Sequence, residues 1–155
     1  MKENIDKVLS HFLVLLMAIM VMAVTWQVFS RYVMQAPSSI TEELSRFLLI
    51  WIGLLGAAYA SGQQNHLAID LLESKLNPLH KKRLKISINV LIIFFCITVL
   101  IIGGGNLVYV NFDLGQNSAA LGVPLYIIYT VLPLSGVLVI AYKVNEILNS
   151  EKYLT

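Results

Sequence analysis

The chain has 155 residues, of which 57% are hydrophobic and 13% are charged, and its formal net charge is +2. A soluble domain carries about 25% charged residues, so this composition excludes an ordinary soluble protein and indicates a membrane protein. The charge balance gives no indication of nucleic-acid binding. The single cysteine, Cys96, has no partner for an internal disulfide and lies in an apolar run, where we expect a small buried hydrophobe.

Four stretches lack Asp, Glu, Lys and Arg over a length that reaches, or nearly reaches, the roughly 20 apolar residues needed to cross a bilayer. With their flanking residues they predict helices at 8–34, 40–62, 84–111 and 121–147. A further segment at 67–77 is apolar on one face and polar on the other, which predicts a short amphipathic helix in the membrane interface. The sequence therefore predicts one all-α membrane domain, 1–155, with four transmembrane helices.

Lysine and arginine residues are distributed unevenly between the two sides that four spans would create. All but two of the 11 fall in the N-terminal tail, in the loop after the second span or at the C-terminal end, while Arg31 and Arg46 lie on the other side. The positive-inside rule therefore predicts that both termini are cytoplasmic. We expect the basic cluster after the second span to contact anionic lipid headgroups. It consists of Lys81, Lys82, Arg83 and Lys85.

Charge is concentrated at the start of the second span. Glu42 and Glu43 are followed one turn later by Arg46, after which the helix is entirely apolar. Ser39 and Glu42 have the spacing of a capping box, in which each side chain satisfies a backbone N–H group. Arg31 lies on the same side of the membrane, close enough for a charge-assisted pair with the two glutamates across the intervening turn.

The second span also carries small residues at intervals of four. Gly53 with Ala57, and Gly56 with Ala60, predict a surface on which another helix could pack closely. Trp51 falls near the middle of the same span, so its indole N–H needs a protein partner. That partner could belong to this bundle or to a second protein, and the sequence favours neither.

Motifs for catalysis, cofactor binding or metal binding do not occur: we find no Gly-rich phosphate loop, Cys-x-x-Cys pair, metal-type His spacing or nucleophile with an evident base. A haem or quinone anchor subunit would be favoured by intramembrane histidines, and a small dimeric exporter by a carboxylate inside an apolar segment. The sequence has neither feature, although both classes stay open. An accessory subunit that is not an enzyme, with no cofactor, explains the pattern more simply.

Several short motifs between residues 31 and 72 occur in a fixed order. They are Glu42-Glu43-Leu44, Ile50-Trp51, Gly56-Ala57-Ala58 and His66-Leu67-Ala68-Ile69-Asp70, and a weaker one follows at Ser118-Ala119-Ala120-Leu121-Gly122-Val123-Pro124. In these features the chain resembles the small membrane subunit of tripartite ATP-independent periplasmic (TRAP) transporters, the DctQ-like family. Many members carry a Trp just before the acidic pair, where this chain has Ile40-Thr41, so no role is assigned to that aromatic.

The resemblance implies a three-part complex in the bacterial inner membrane. A large permease subunit would carry the substrate and sodium sites, and a periplasmic solute-binding protein would deliver an organic anion such as a C4-dicarboxylate or a sialic acid. The small subunit would be a non-catalytic scaffold beside the large one. The candidate contacts with these partners are Arg31, Glu42, Glu43, Arg46, Trp51, Gly53, Gly56, Ala57 and Ala60.

Overall fold

The structure, a computed structural model, describes residues 2–63 and 78–148. The elements in these ranges are α1 (Lys2–Tyr32), α2 (Ser39–Gly62), α3 (Pro78–Phe95), a π-helical stretch (Cys96–Gly103), α4 (Gly104–Asp113), α5 (Leu125–Tyr129) and α6 (Val131–Leu148). From α3 to α4 the helix is continuous, and α5 leads almost directly into α6. Every named element in the described ranges is helical, so the prediction of an all-α fold is confirmed.

Four helices are long and apolar enough to cross a membrane, as the sequence predicts. They are Ile5–Tyr32, Ser39–Gly62, Ile86–Asp113 and Leu125–Leu148, with 24 to 28 residues each. At 1.5 Å per residue these lengths are about 36–42 Å, which exceeds the hydrocarbon thickness of about 30 Å. Helices suit this setting because they satisfy their backbone polar groups internally. The amphipathic helix predicted at 67–77 lies outside the described residues.

The fourth span, through α6, contacts α2, the π-helical stretch and α3, while α1 packs on α2. Two groups of buried apolar residues hold this arrangement together. The first joins α1, α2 and α6 through Leu9, Leu16, Leu48, Leu55 and Val131. The second joins α2, the π-helical stretch and α6 through Ala58, Cys96 and Val139. Cys96 is only 2% exposed, so it occupies the buried position expected for it.

Glycines allow the third and fourth spans to approach so closely that there is no room for a side chain between them. A Cβ atom added to Gly104 would lie 2.7 Å from the Cβ of Leu132, and one added to Gly136 would lie 2.9 Å from the Cβ of Leu100. Such distances do not occur between real side chains, so both positions require glycine. Close contacts of this kind are typical of helix pairs within membranes, where dispersion forces replace the hydrophobic effect as the source of association.

The two ends of the bundle differ in what they contain. The turn end, as we call it, holds the connections at 33–38 and 114–124, and the terminal end holds the start of α1 and the end of α6. Between the ends, many large apolar side chains point outward, as expected of a surface that meets lipid or another membrane protein.

Candidate functional site

At the turn end, α2 begins with a cap that differs from the predicted one. The N-cap residue is Ser38, whose backbone is extended and whose Oγ accepts a long hydrogen bond of 3.5 Å from the N–H of Thr41. Glu42 does not reach back to the helix start but lies along the helix, with Oε1 3.4 Å from Nη2 of Arg46. The predicted capping box of Ser39 and Glu42 is therefore wrong, because the chain enters the helix one residue earlier.

The neighbouring carboxylate, Glu43, crosses to the connection between the third and fourth spans. Its Oε1 accepts a hydrogen bond from the backbone N–H of Ala119 at 3.2 Å. Its Oε2 accepts from the N–H groups of Ala120 at 2.7 Å and Leu121 at 3.0 Å. The N–H of Leu121 also donates to Oγ of Ser118 at 3.2 Å. One glutamate thus binds a turn that lies more than 70 residues away in the sequence, through charge-assisted bonds.

The turn that receives Glu43 is closed by its own backbone. The N–H of Ser118 donates to the carbonyl of Val123 at 2.9 Å, and that of Leu125 donates to the carbonyl of Gln116 at 3.0 Å. Gly122 has a φ of +67°, which lets the chain reverse at the tip at no steric cost. The sequence identified this segment only as a weak family motif; the structure shows a short paired loop whose tip presents consecutive N–H groups.

The two adjacent glutamates therefore have different surroundings. Successive helical positions are about 100° apart, so Glu43 faces the loop while Glu42 faces outward. The side chains of Glu42 and Arg46 are 57% and 66% exposed, and an exposed pair of this kind contributes about 0–1 kcal/mol. Arg31 is exposed at the end of α1 and forms the predicted pair with neither glutamate.

In the middle of α2, Trp51 contacts two other helices. Its Nε1–H donates to the carbonyl of Ile128 in α5 at 3.1 Å. Its ring meets that of Phe12 in α1 edge-on, with a centroid distance of 6.4 Å. Of the two locations that the sequence leaves open for the indole partner, the structure shows the one within the bundle.

The small residues of α2 lie mainly on the opposite side, facing outward. Gly53, Ala57 and Ala60 are exposed and Gly56 is half-buried. A Cβ atom added to Gly53 or Gly56 would have no atom within 4 Å among the described residues. This surface, which we call the small-residue face, is therefore not used for packing within the described part of the chain.

The terminal end contains polar contacts that the sequence analysis missed. The hydroxyl of Tyr142 donates to Oδ1 of Asp6 at 2.6 Å, and its ring covers Gly62. Nζ of Lys143 lies 3.0 Å from Oε2 of Glu146, with side chains 0% and 6% exposed. A Lys and a Glu three residues apart at the end of an apolar helix could have indicated such a pair.

Of the predicted basic cluster and the His66–Asp70 motif, the structure describes a single side chain. Arg83 is exposed, while the side chains of Lys81, Lys82 and Lys85, together with His66 and Asp70, lie outside the described residues. Within the described ranges, no group of three His, Cys, Asp or Glu residues could hold a metal ion. What the described residues offer is a set of helix contacts and an unused helix face.

Comparison with known proteins agrees with the motifs. The family model of the DctQ component of tripartite ATP-independent periplasmic transporters matches residues 20–152. The chain is 31% identical to a protein of Haemophilus influenzae assigned as a TRAP transporter small permease, over 94% of this chain and 89% of the relative. It is 26% identical to the sialic acid TRAP transporter small permease protein SiaQ of Vibrio cholerae, over 98% of this chain and 84% of that protein.

A third relative is much longer than the chain. The isethionate TRAP transporter permease protein DctMQ of Oleidesulfovibrio alaskensis is 30% identical over 80% of this chain, which corresponds to 20% of the relative. A family match over most of the length, together with close agreement in size with two small permease proteins, establishes the relationship. The chain belongs to the DctQ family of small TRAP transporter permease subunits.

Proposed function

We propose that the chain is the non-catalytic scaffold subunit of a sodium-coupled, binding-protein-dependent transporter for organic anions, and that it packs against a large permease subunit. The observation that carries this proposal is the DctMQ relative, in which the region similar to this chain makes up 20% of one permease polypeptide. Fusion keeps two parts of a protein side by side permanently. It therefore supports a stable association between this chain and a separate large subunit.

The proposed solute class follows from what the relatives are named for. Sialic acid and isethionate are both organic anions at neutral pH, although one is a carboxylate and the other a sulfonate. We assign this chain to a transporter of the same class, with C4-dicarboxylates and sialic acids as candidate solutes. The choice of solute would then rest with the periplasmic binding protein and the large subunit, since these are the parts proposed to bind it.

The proposed location is the bacterial inner membrane, with both termini cytoplasmic and the turn end periplasmic. The asymmetry of lysine and arginine supports this orientation. Single cysteines at Ala36 and Asn117, in a Cys96→Ser background, should react with an impermeant thiol reagent from the periplasm, and one at Ser74 should not. If only the cysteine at Ser74 were labelled, the proposed orientation would be wrong and the opposite one would hold. The basic cluster would then face the cytoplasmic headgroups, with Lys81, Lys82, Arg83 and Lys85 as its members.

The proposed contact with the large subunit is the small-residue face of α2, flanked at the turn end by the exposed pair of Glu42 and Arg46 and by Arg31. Glu43 and Trp51 belong to this proposal indirectly, because their polar atoms are bonded within the chain. They would hold α2 in place within this chain and would not themselves bond to the large subunit. The residues proposed to lie at the contact are Gly53, Gly56, Ala57 and Ala60.

Reconstitution in liposomes tests the scaffold role. The chain alone should move no solute, because the polar side chains of its spans mostly bond back to their own helices. Examples are Thr25 to the carbonyl of Val21 and Ser135 to that of Leu132. Addition of the large subunit and the binding protein should produce uptake that depends on a sodium gradient. Uptake or efflux by the purified chain alone would contradict the proposal and favour a self-sufficient exporter.

A further inference from the structure

The turn that binds Glu43 has the form of an anion site. Three consecutive backbone N–H groups, those of Ala119, Ala120 and Leu121, converge on the two oxygens of one carboxylate. Consecutive N–H groups that point to a common centre form a concavity with a partial positive charge, which binds anions without any cationic side chain. Ser118 begins this turn and is 6% exposed, and its Oγ shares the N–H of Leu121 with the carboxylate.

We infer that the turn at 118–121 is a binding site for a carboxylate, filled in the folded chain by Glu43, and that this occupancy holds the connection at 114–124 in its folded form. Glu43 then acts as a positioning residue for the turn end. The inference concerns this chain alone and holds whatever solute or partner the transporter has, so it goes beyond the proposed function.

The surroundings of the carboxylate explain why its loss should matter. Ala119 is exposed, but the residues at 120 and 121 are half-buried and Ser118 is 6% exposed, so water has limited access to two of the three N–H groups when the carboxylate is absent. A donor that is shielded from water and has lost its acceptor disfavours the arrangement that shields it. The remaining closure of the loop consists of backbone bonds that do not involve the N–H groups of 119–121, namely those from Ser118 to Val123, from Gly122 to Ser118 and from Leu125 to Gln116. The loop should therefore loosen when Glu43 is truncated.

Glu42 provides the matched control, because it precedes Glu43 on the same helix and has the same charge. It contacts Arg46 and not the loop. An effect that reflected only negative charge near the start of α2 would appear in Glu42→Ala as well as in Glu43→Ala. An effect that reflects the anion site would appear in Glu43→Ala alone.

Hydrogen–deuterium exchange on the purified full chain measures the site directly, since the three N–H groups are the groups whose protection should change. In wild type and in Glu42→Ala, the peptide covering 114–125 should retain its slow amide protons. In Glu43→Ala this peptide should lose protection at up to three amides. Glu43→Gln keeps one oxygen that can accept from Ala120 and Leu121, so it should lose protection mainly at the Ala119 amide, whose acceptor is replaced by an NH₂ group.

Chemical rescue then separates an anion site from a simple structural contact. Formate, the smallest carboxylate, should restore slow exchange in Glu43→Ala, whereas chloride at equal ionic strength should not. Formate should have no effect on Glu43→Gln, whose side chain still occupies the site. Unchanged exchange in Glu43→Ala, or formate acting no better than chloride, would overturn the inference. If Glu43→Ala does not fold, unchanged exchange at the Ala119 amide in Glu43→Gln would overturn it equally.

Discussion

The ring of Tyr142 lies directly against the backbone of Gly62, so that a Cβ atom added to Gly62 would fall 2.8 Å from Cε1 of the ring. The hydroxyl at the other end of the ring donates to Asp6 at 2.6 Å. One side chain of α6 thus contacts α2 through its ring and α1 through its hydroxyl. We call these three residues the terminal clasp, since they join three helices at the terminal end.

The first prediction concerns the space at Gly62. Gly62→Ala should destabilise the chain by about 1–3 kcal/mol, because the added methyl group forces the buried ring of Tyr142 to move. Thermal or denaturant unfolding of the purified chain in detergent would measure this. The control is Gly53→Ala, where the added Cβ has no described atom within 4 Å and replaces a helical glycine. It should be neutral or stabilising by up to about 1 kcal/mol. Equal losses in both variants would contradict the prediction.

The second prediction concerns the hydrogen bond of the terminal clasp. Tyr142→Phe keeps the ring but removes the donor to Asp6, and hydrogen bonds to charged groups contribute about 1.5–3 kcal/mol. Asp6→Asn should lower the free energy of unfolding by less, because the amide oxygen can still accept the hydrogen bond from Tyr142. A double-mutant cycle with Asp6→Ala and Tyr142→Phe should give a coupling energy of about 0.5–3 kcal/mol. Strictly additive losses would show that the two groups stabilise the chain independently.

The number of the spans follows from the sequence because it depends on composition along the chain. A run of apolar residues specifies a membrane helix whatever its neighbours are. The need of Trp51 for a partner was predictable for a similar reason, since an indole N–H in an apolar setting must be satisfied. These properties are local, and the structure contains the four helices that are long and apolar enough to cross a membrane.

The partners of individual residues could not be predicted, because they depend on which helices are neighbours. Glu42 and Glu43 are identical in type and adjacent in sequence, yet only the second reaches a loop 76 to 78 residues away. Gly53 and Gly62 both belong to α2, but one is open to its surroundings and the other is covered by Tyr142. Only the arrangement of α2 beside α6 distinguishes them.

The third prediction concerns the indole of Trp51. Trp51→Phe retains an aromatic ring against Phe12 but loses the hydrogen bond to the carbonyl of Ile128. The expected loss is about 0.5–1.5 kcal/mol in unfolding of the purified chain. Trp26 is the matched control, because it is 51% exposed and lies on the outer side of α1. Trp26→Phe should leave stability unchanged, and a larger effect there than at Trp51 would contradict the assignment of Trp51 to the bundle.

The fourth prediction tests the proposed interface on α2. Gly53→Leu should leave unfolding of the isolated chain nearly unchanged, because the side chain extends into space that no described residue occupies. In the complex it should hold the facing helix of the large subunit away from α2, and copurification with that subunit should fall. Small residues in membrane interfaces favour association by allowing backbones to approach, and a leucine removes that approach.

The matched control for this prediction is Ala141→Leu, which adds similar bulk to an exposed position on α6. If the small-residue face is the contact, Ala141→Leu should copurify like wild type while Gly53→Leu does not. Loss of association in both variants would indicate a general effect of added bulk. Normal association of Gly53→Leu would indicate that this face of α2 meets lipid, and the contact with the large subunit would then have to lie on one of the surfaces that carry large apolar side chains, such as the outer side of α1.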